Sequence, residues 1–281
     1  MWRGRRGIQL VGSVLLIALL VGACGSDEEP GPDFSALLTS AGSLTRAESP
    51  LAFVQALRVE TGAGAFLEQT TEGVYDGEVD QASLVVTTEQ SEDGGSLFVV
   101  DSTVDPGTTL RLVMDGRQVF LRVDVLGLDN TAWSIVPASE ATPTADSTVA
   151  VLGAALVAEP AAAERIGEIG AEDVGGVAAT RYRVPANAAE VAIYLPSETL
   201  NVLSEQGLGT RPIDARTFVE FWLDDAGRIR RIEIDHEPLL AAMNVEALRD
   251  VTMFRQRFEI TQFGGVAVQV PSPAEIAVDG E

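Results

Sequence analysis

LRLVMDGRQVFLRV, residues 110–123, holds two runs of alternating character around Asp115-Gly116. Leu110, Leu112 and Met114 fall on one face of the first run. Val119, Leu121 and Val123 fall on one face of the second, with Arg122 and Asp124 opposite. Period-two alternation is what a half-buried strand requires, because successive side chains point to opposite faces. Asp-Gly has the residue types that a tight two-residue turn demands. The stretch therefore predicts an antiparallel hairpin.

Its neighbours extend the pattern. AFLEQTTEGVYDG, ASLVVTTEQ and SLFVVDSTVD before it are Val-, Leu-, Phe- and Thr-rich runs broken by Asp-Gly and Gly-Gly, the signature of a strand meander. After it come GVAATRYRV, EVAIYLP, RTFVEFWLDDAGRIRRIEID and DVTMFRQRFEITQF, read as further strands. Helices are predicted at SPLAFVQALRVE (49–60), with Ser49 as cap and Pro50 in the first turn, at SETLNVLSEQG and near PLLAAMNVEAL. Between residues 146 and 165 the alternation gives way to alanine, and two short helices meeting near Glu159-Pro160 are expected. With no long polar linker, the arrangement predicts one α+β domain.

The N-terminus follows a different logic. Arg3, Arg5 and Arg6 precede an apolar run from Ile8 to Val21, then Gly22 and Ala23, then Cys24, the only cysteine. That is the layout of an export signal, and the run is shorter than the roughly 20 residues of a membrane-spanning helix. Leu20-Val21-Gly22-Ala23-Cys24 resembles the lipobox of bacterial lipoproteins, in which the cysteine receives a diacylglyceryl group and becomes the new N-terminus. GSDEEPGP then reads as a flexible tether. The domain plan is a signal peptide over 1–23, an acylated N-terminus and tether over 24–44, a folded domain over 45–273 and an acidic tail over 274–281.

Composition excludes several functions. The formal net charge of −23 becomes more negative once the leader arginines are removed, and such a surface repels nucleic acid and anionic lipid headgroups alike. All 19 basic residues are arginine, which removes lysine Schiff-base chemistry and the phosphate-binding lysine of P-loops. One cysteine allows no intrachain disulfide, and with one histidine no zinc site of the Cys/His kind.

Candidate catalytic groups have plainer readings. His236 has Asp235 and Glu237 beside it, but no nucleophile motif accompanies it, so it reads as an ordinary turn histidine. Asp224-Asp225-Ala226-Gly227 reads as a hairpin turn. GGS (94–96) and VGGV (174–177) lack the following helix of a phosphate loop and read as turns. The apolar segment from Val149 to Val157 fits either a core helix or a lid over a cavity.

In order along the chain, the lipobox, GVYDG, LVMDGRQVFLR, VGGVAATRYRV, FVEFWLDDAGRIRRIEI and ITQFGGVAVQVPSP resemble the actinobacterial LppX/LprAFG lipoproteins, which are similar in fold to carriers of the LolA/LolB type. The resemblance spans most of residues 45–273; PLLAAMNVEALRD and the absence of lysine depart from it. It implies a strongly curved antiparallel half-barrel sheet with helices on its concave face and an apolar cavity that accepts acyl chains of lipids or lipoglycans. The candidate lining is Leu110, Leu112, Met114, Val119, Leu121 and Val123 from the hairpin. Trp222, Phe254, Phe258 and Ile260 join it from the later strands. The implied protein is not an enzyme and uses no cofactor or metal. It is held on the extracytoplasmic face of the cell membrane by a palmitate-type acyl anchor at Cys24, and exchanges lipid with an envelope transporter or lipoprotein partner. The alternative is a non-enzymatic envelope interaction or sensor lipoprotein that uses the same fold without lipid cargo.

Overall fold

A computed structural model describes residues 34–79, 81–91, 108–115, 118–125, 132–136, 167–195, 197–210, 213–244 and 246–276. Among the described residues, eleven strands build one antiparallel sheet: β1 (Leu51–Thr61), β2 (Phe66–Asp76), β3 (Gln81–Gln90), β4 (Thr108–Asp115), β5 (Gln118–Val125), β6 (Ser134–Val136), β7 (Gly167–Val174), β8 (Val177–Asn187), β9 (Arg216–Asp224), β10 (Ile229–Asp235) and β11 (Val251–Phe263). Their spatial order is β6-β5-β4-β3-β2-β1-β11-β10-β9-β8-β7. Two meanders, β1 to β6 and β7 to β11, thus meet where the first and last strands pair. The sheet is open and curled, and α1 (Phe34–Ala47), α2 (Ala188–Val191), α3 (Ser197–Glu205) and α4 (Glu237–Met243) accompany it.

The founding hairpin forms as predicted, with Leu110 opposite Val123, Leu112 opposite Leu121 and Met114 opposite Val119. Its ladder closes at Asp115 opposite Gln118, so Asp115 belongs to the ladder and not to the expected two-residue turn. The VGGV turn joins β7 to β8, with Gly175 and Gly176 at φ of 59° and 84°, the left-handed conformation that such a turn needs and glycine adopts freely. Among the described residues the sheet ends at β6 and β7, and both edges are guarded. The edge strand β6 is only three residues long, and β7 carries Glu168, Glu172 and Asp173 with a register shift at Gly170, devices that discourage pairing with other chains.

Local expectations are corrected at five places. SPLAFVQALRVE is not a helix: residues from Leu51 onward form β1, the central strand, with Leu51, Phe53, Gln55, Leu57 and Val59 buried in strict alternation. EVAIYLP is not a strand. Asn187 Oδ1 accepts from the Ala189 amide at 2.8 Å and caps α2, and a 3-10 turn follows over Ala192–Tyr194. GEIGAEDV forms β7, which the sequence reading passed over. The expected boundary at residue 44 falls inside α1, whose Ala41 and Thr45 are buried. At the other end, Ser272 and Glu275 form a capping box, and the Trp133 amide donates to the Glu275 carbonyl at 2.8 Å, so the boundary drawn at 273 falls inside this turn.

The helix predicted at SETLNVLSEQG is α3, and that near PLLAAMNVEAL is α4 followed by a 3-10 turn over Glu246–Leu248. Cys24 and its leader, SLFVVDSTVD, GGS and the helices expected over 146–165 lie outside the described residues.

Candidate functional site

Alternation gives the sheet two unlike faces. On the apolar face, the register lines side chains into rows across the strands. One row runs Val123, Leu110, Val86, Thr71, Gln55, Phe258, Ile232, Phe221, Tyr182 from β5 to β8. A second holds Leu121, Leu112, Leu84, Gly73, Phe53 and Ile260. Phe53 and Phe258 rings meet at 5.2 Å between centroids, a favourable tilted aromatic contact. Gly73 makes this possible, since a Cβ there would lie 2.6 Å from Phe53 Cζ and 2.8 Å from Leu84 Cδ2.

Leu110, Leu112, Val119, Phe258 and Ile260 belong to one buried cluster with Ala41 of α1, and Met114, Leu121 and Val123 pack against it half-buried. The structure thus brings eight of the ten residues singled out from the sequence to one surface. Phe254 lies on the same face but in a second cluster, with Leu57, Val59 and Leu67 beneath Leu239, Leu240 and Met243 of α4. Trp222 does not join them. On β9 the residues Val219, Phe221 and Leu223 enter the first cluster, so Trp222, one step out of phase, points to the opposite face. There it packs with Val174 and Ala179 between the Arg181 and Arg231 guanidinium groups, and its indole donates to Glu172 Oε2 at 3.0 Å.

That opposite face is a lattice of cross-strand ion pairs. Arg231 meets Glu259 at 3.0 Å and Arg257 meets Glu233 at 2.9 Å. Arg58 meets Glu68 at 2.8 Å and Arg111 meets Asp124 at 2.7 Å. Arginine suits this role, because its planar fork binds carboxylates and stacks on aromatic rings. Near β4 and β5 a small apolar cluster of Val113, Phe120 and Trp133 is covered by Val268 and Ile276 of the C-terminal stretch.

The titratable candidates are structural. Asp224 is buried and closes the β9–β10 turn, accepting from the Ala226 and Arg228 amides at 3.0 Å and from Arg228 and Arg230 side chains at 3.0 and 2.9 Å. Burial alone would raise its pKa, but those bonds hold the carboxyl below the usual value. Nothing is left for it to activate.

His236 is no surface turn residue. It is completely buried at the junction of β10 and α4, its amide bonded to the Phe254 carbonyl at 2.7 Å. Gln256 Nε2 donates to the Tyr194 carbonyl at 2.7 Å, which aims Gln256 Oε1 at His236 Nε2, 3.3 Å away. Nε2 must then carry the proton, and Nδ1 is left as a lone pair with no partner. Burial pushes the imidazole pKa down to about 4, only partly offset by Gln256, so it is neutral at ordinary pH. Sequence alone gave no signal of this burial, since Asp235 and Glu237 on either side are polar.

Among the described residues, no cluster of three histidine, cysteine or acidic side chains is placed to hold a metal ion. No helix among them is long and apolar enough to cross a membrane.

These features define an open, curled antiparallel sheet, one face apolar and helix-covered in part, the other laced with ion pairs. LprF from Mycobacterium bovis has this architecture: its structure is 14% identical, with a TM-score of 0.51 over 87% of this chain and 98% of that one. Two other structures are similar: LppX from Mycobacterium tuberculosis at 13% identity, TM-score 0.44, covering 83% and 98%, and a LolA superfamily protein from Nitrosomonas europaea at 8%, TM-score 0.26, covering 87% and 97%. The expected open, curled antiparallel sheet is met by the strand order and by the likeness to LprF. No family model matches the sequence, and no curated protein matches it.

Proposed function

We propose that this chain is a lipid-anchored envelope lipoprotein that binds acyl chains of lipids or lipoglycans against the apolar face of its sheet. The observation that carries the reading is the row Leu121, Leu112, Leu84, Gly73, Phe53 and Ile260, which has no polar side chain from β5 to β11, with Met114, Leu121 and Val123 only half-buried at its β4–β5 end. Half-covered apolar side chains at one end of a curled sheet suit chains that enter there and displace water from the wall. The likeness of the fold to LprF supports it. In this reading the apolar face is the concave one, α1 and α4 pack upon it, and the mature chain begins at Cys24.

The protein works by shielding rather than by chemistry. Asp224 is spent on two arginines and His236 is sealed and neutral, which supports a non-enzymatic role. Two acyl chains on Cys24, at about 0.8 kcal/mol per buried CH2, hold the protein at the extracytoplasmic face of the membrane. Cargo then passes to or from an envelope transporter or another lipoprotein. Mass spectrometry of lipids extracted from the folded domain, purified from its native envelope, tests the reading: an acyl lipid in near-stoichiometric amount is expected, and a domain free of lipid would leave the cargo-free interaction protein instead.

A further inference from the structure

The apolar face is interrupted by a belt of polar side chains. Thr71 and Gln55 face each other across β2 and β1, and in the next row Thr88, Gln69, Leu57 and Gln256 span β3, β2, β1 and β11. Leu84, Phe53 and Ile260 flank the belt on one side and Leu67, Val59 and Phe254 on the other, while Val86 and Phe258 close its first row at the two ends. Gln256 is already committed to Tyr194 and His236. Gln55 and Thr88 are not: at 4% and 5% exposure, Gln55 Oε1 and Thr88 Oγ have no hydrogen-bond partner. Buried polar atoms are almost always paired. Two left open in one belt, where valine or leucine would extend the flanking surfaces, point to a partner that arrives from outside the chain.

The open atoms specify its chemistry. Gln55 Oε1 can only accept a hydrogen bond, and the Thr88 hydroxyl can donate or accept. An ester carbonyl offers no donor and cannot satisfy Gln55. A hydroxyl can. The two residues sit on strands separated by β2 and in adjacent rows, about 12 Å apart at the backbone, a span that a polyol reaches more readily than a single hydroxyl.

We propose that Gln55 and Thr88 form a subsite for the hydroxyl groups of an amphiphile, a partly acylated glycerol or a sugar-bearing lipid, whose chains lie along the flanking apolar rows. The proposal rests on the acyl-binding reading above, and it gives that reading a ligand class: hydroxyl-bearing lipids in preference to fully esterified ones.

The test uses the lipid-stripped full chain and two probes with the same acyl group, 1-monolauroylglycerol and methyl laurate. The wild type should bind the glycerol ester about tenfold more tightly, as two added hydrogen bonds allow. The double variant Gln55→Leu, Thr88→Val should lose this preference and keep its affinity for methyl laurate, while Thr88→Ser restores the threonine share of it. Gln55→Leu and Thr88→Val each remove an unpaired buried atom, so the ligand-free double variant should melt about 2–4 °C higher than wild type; the single variant Thr88→Val serves if the double one does not fold. Equal wild-type affinities, or a preference unchanged by the substitutions, would overturn the subsite while leaving acyl binding intact, with the belt satisfied by buried water. Binding of neither probe by the wild type would overturn both.

Discussion

The Thr45 hydroxyl accepts a hydrogen bond from the Ile229 amide at 2.8 Å, joining residues 184 positions apart in the chain. The same hydroxyl donates to the Ala41 carbonyl at 2.7 Å. One buried side chain thus pins the last turn of α1 to the start of β10, and Glu48 and Arg228 add an ion pair at 3.8 Å beside it. Thr45→Val keeps the shape but leaves the Ile229 amide unpaired, which should cost about 1–3 kcal/mol. Thr45→Ser should cost far less. Chemical denaturation of the two variants distinguishes them.

Asp224→Ala should be among the most damaging single changes. It removes the acceptor of two turn amides and strands Arg228 and Arg230 beside a buried site, a loss of about 3–5 kcal/mol where a buried pair is broken. Because the folded carboxyl titrates below its ordinary value of 3.8, the stability it supplies is complete above that pH and disappears as pH falls through the folded value. Acid unfolding curves of wild type and variant should converge at low pH.

His236 acts in a different window. Its folded pKa near 4 lies below the ordinary 6.5, so the unfolded chain binds the proton more readily between those values. Stability should be at its full level above pH 6.5 and fall by about 3 kcal/mol as pH drops to 4. His236→Gln should flatten that slope. A pH series of urea midpoints reads both, and an unchanged slope would mean that the imidazole is not sealed as described.

Much of this architecture is written in short-range pattern. LRLVMDGRQVFLRV, FVEFWLDDAGRIRRIEID and MFRQRFEITQF each show one apolar and one charged face, and each forms strands as read. β1 hid its period because Ala52, Val54 and Ala56 make its second face apolar too, while Gln55 interrupts the first. Leu51, Val54 and Leu57 then mimic a helix. β7 is polar on both faces and rich in glycine, as befits an edge, and so resembles a loop. Trp222 departs from the expected lining because strand phase turns it away from Val219, Phe221 and Leu223 and places it among arginines. The polar belt was legible only after register was known, because Gln55 and Thr88 are 33 residues apart and meet no common motif.

The anchor is tested at Cys24. Cys24→Ser should abolish acylation and cleavage at this site, and metabolic labelling with a fatty-acid analogue should mark the wild type alone. Equal labelling of both would move the anchor elsewhere.

Whether the apolar face holds lipid is tested most directly by lipid occupancy of Val123→Trp, measured by mass spectrometry on protein purified from the same envelope as wild type and read beside its thermal unfolding. Val123 is half-buried at the β4–β5 end of the face. If lipid lies against it, the indole takes up volume that the chain used. Occupancy should then fall by more than about half while the melting temperature moves by no more than a few degrees. A filled core gives the reverse: no lipid on the wild type, and a loss of about 1–3 kcal/mol from overpacking in the variant, a result that would contradict the account.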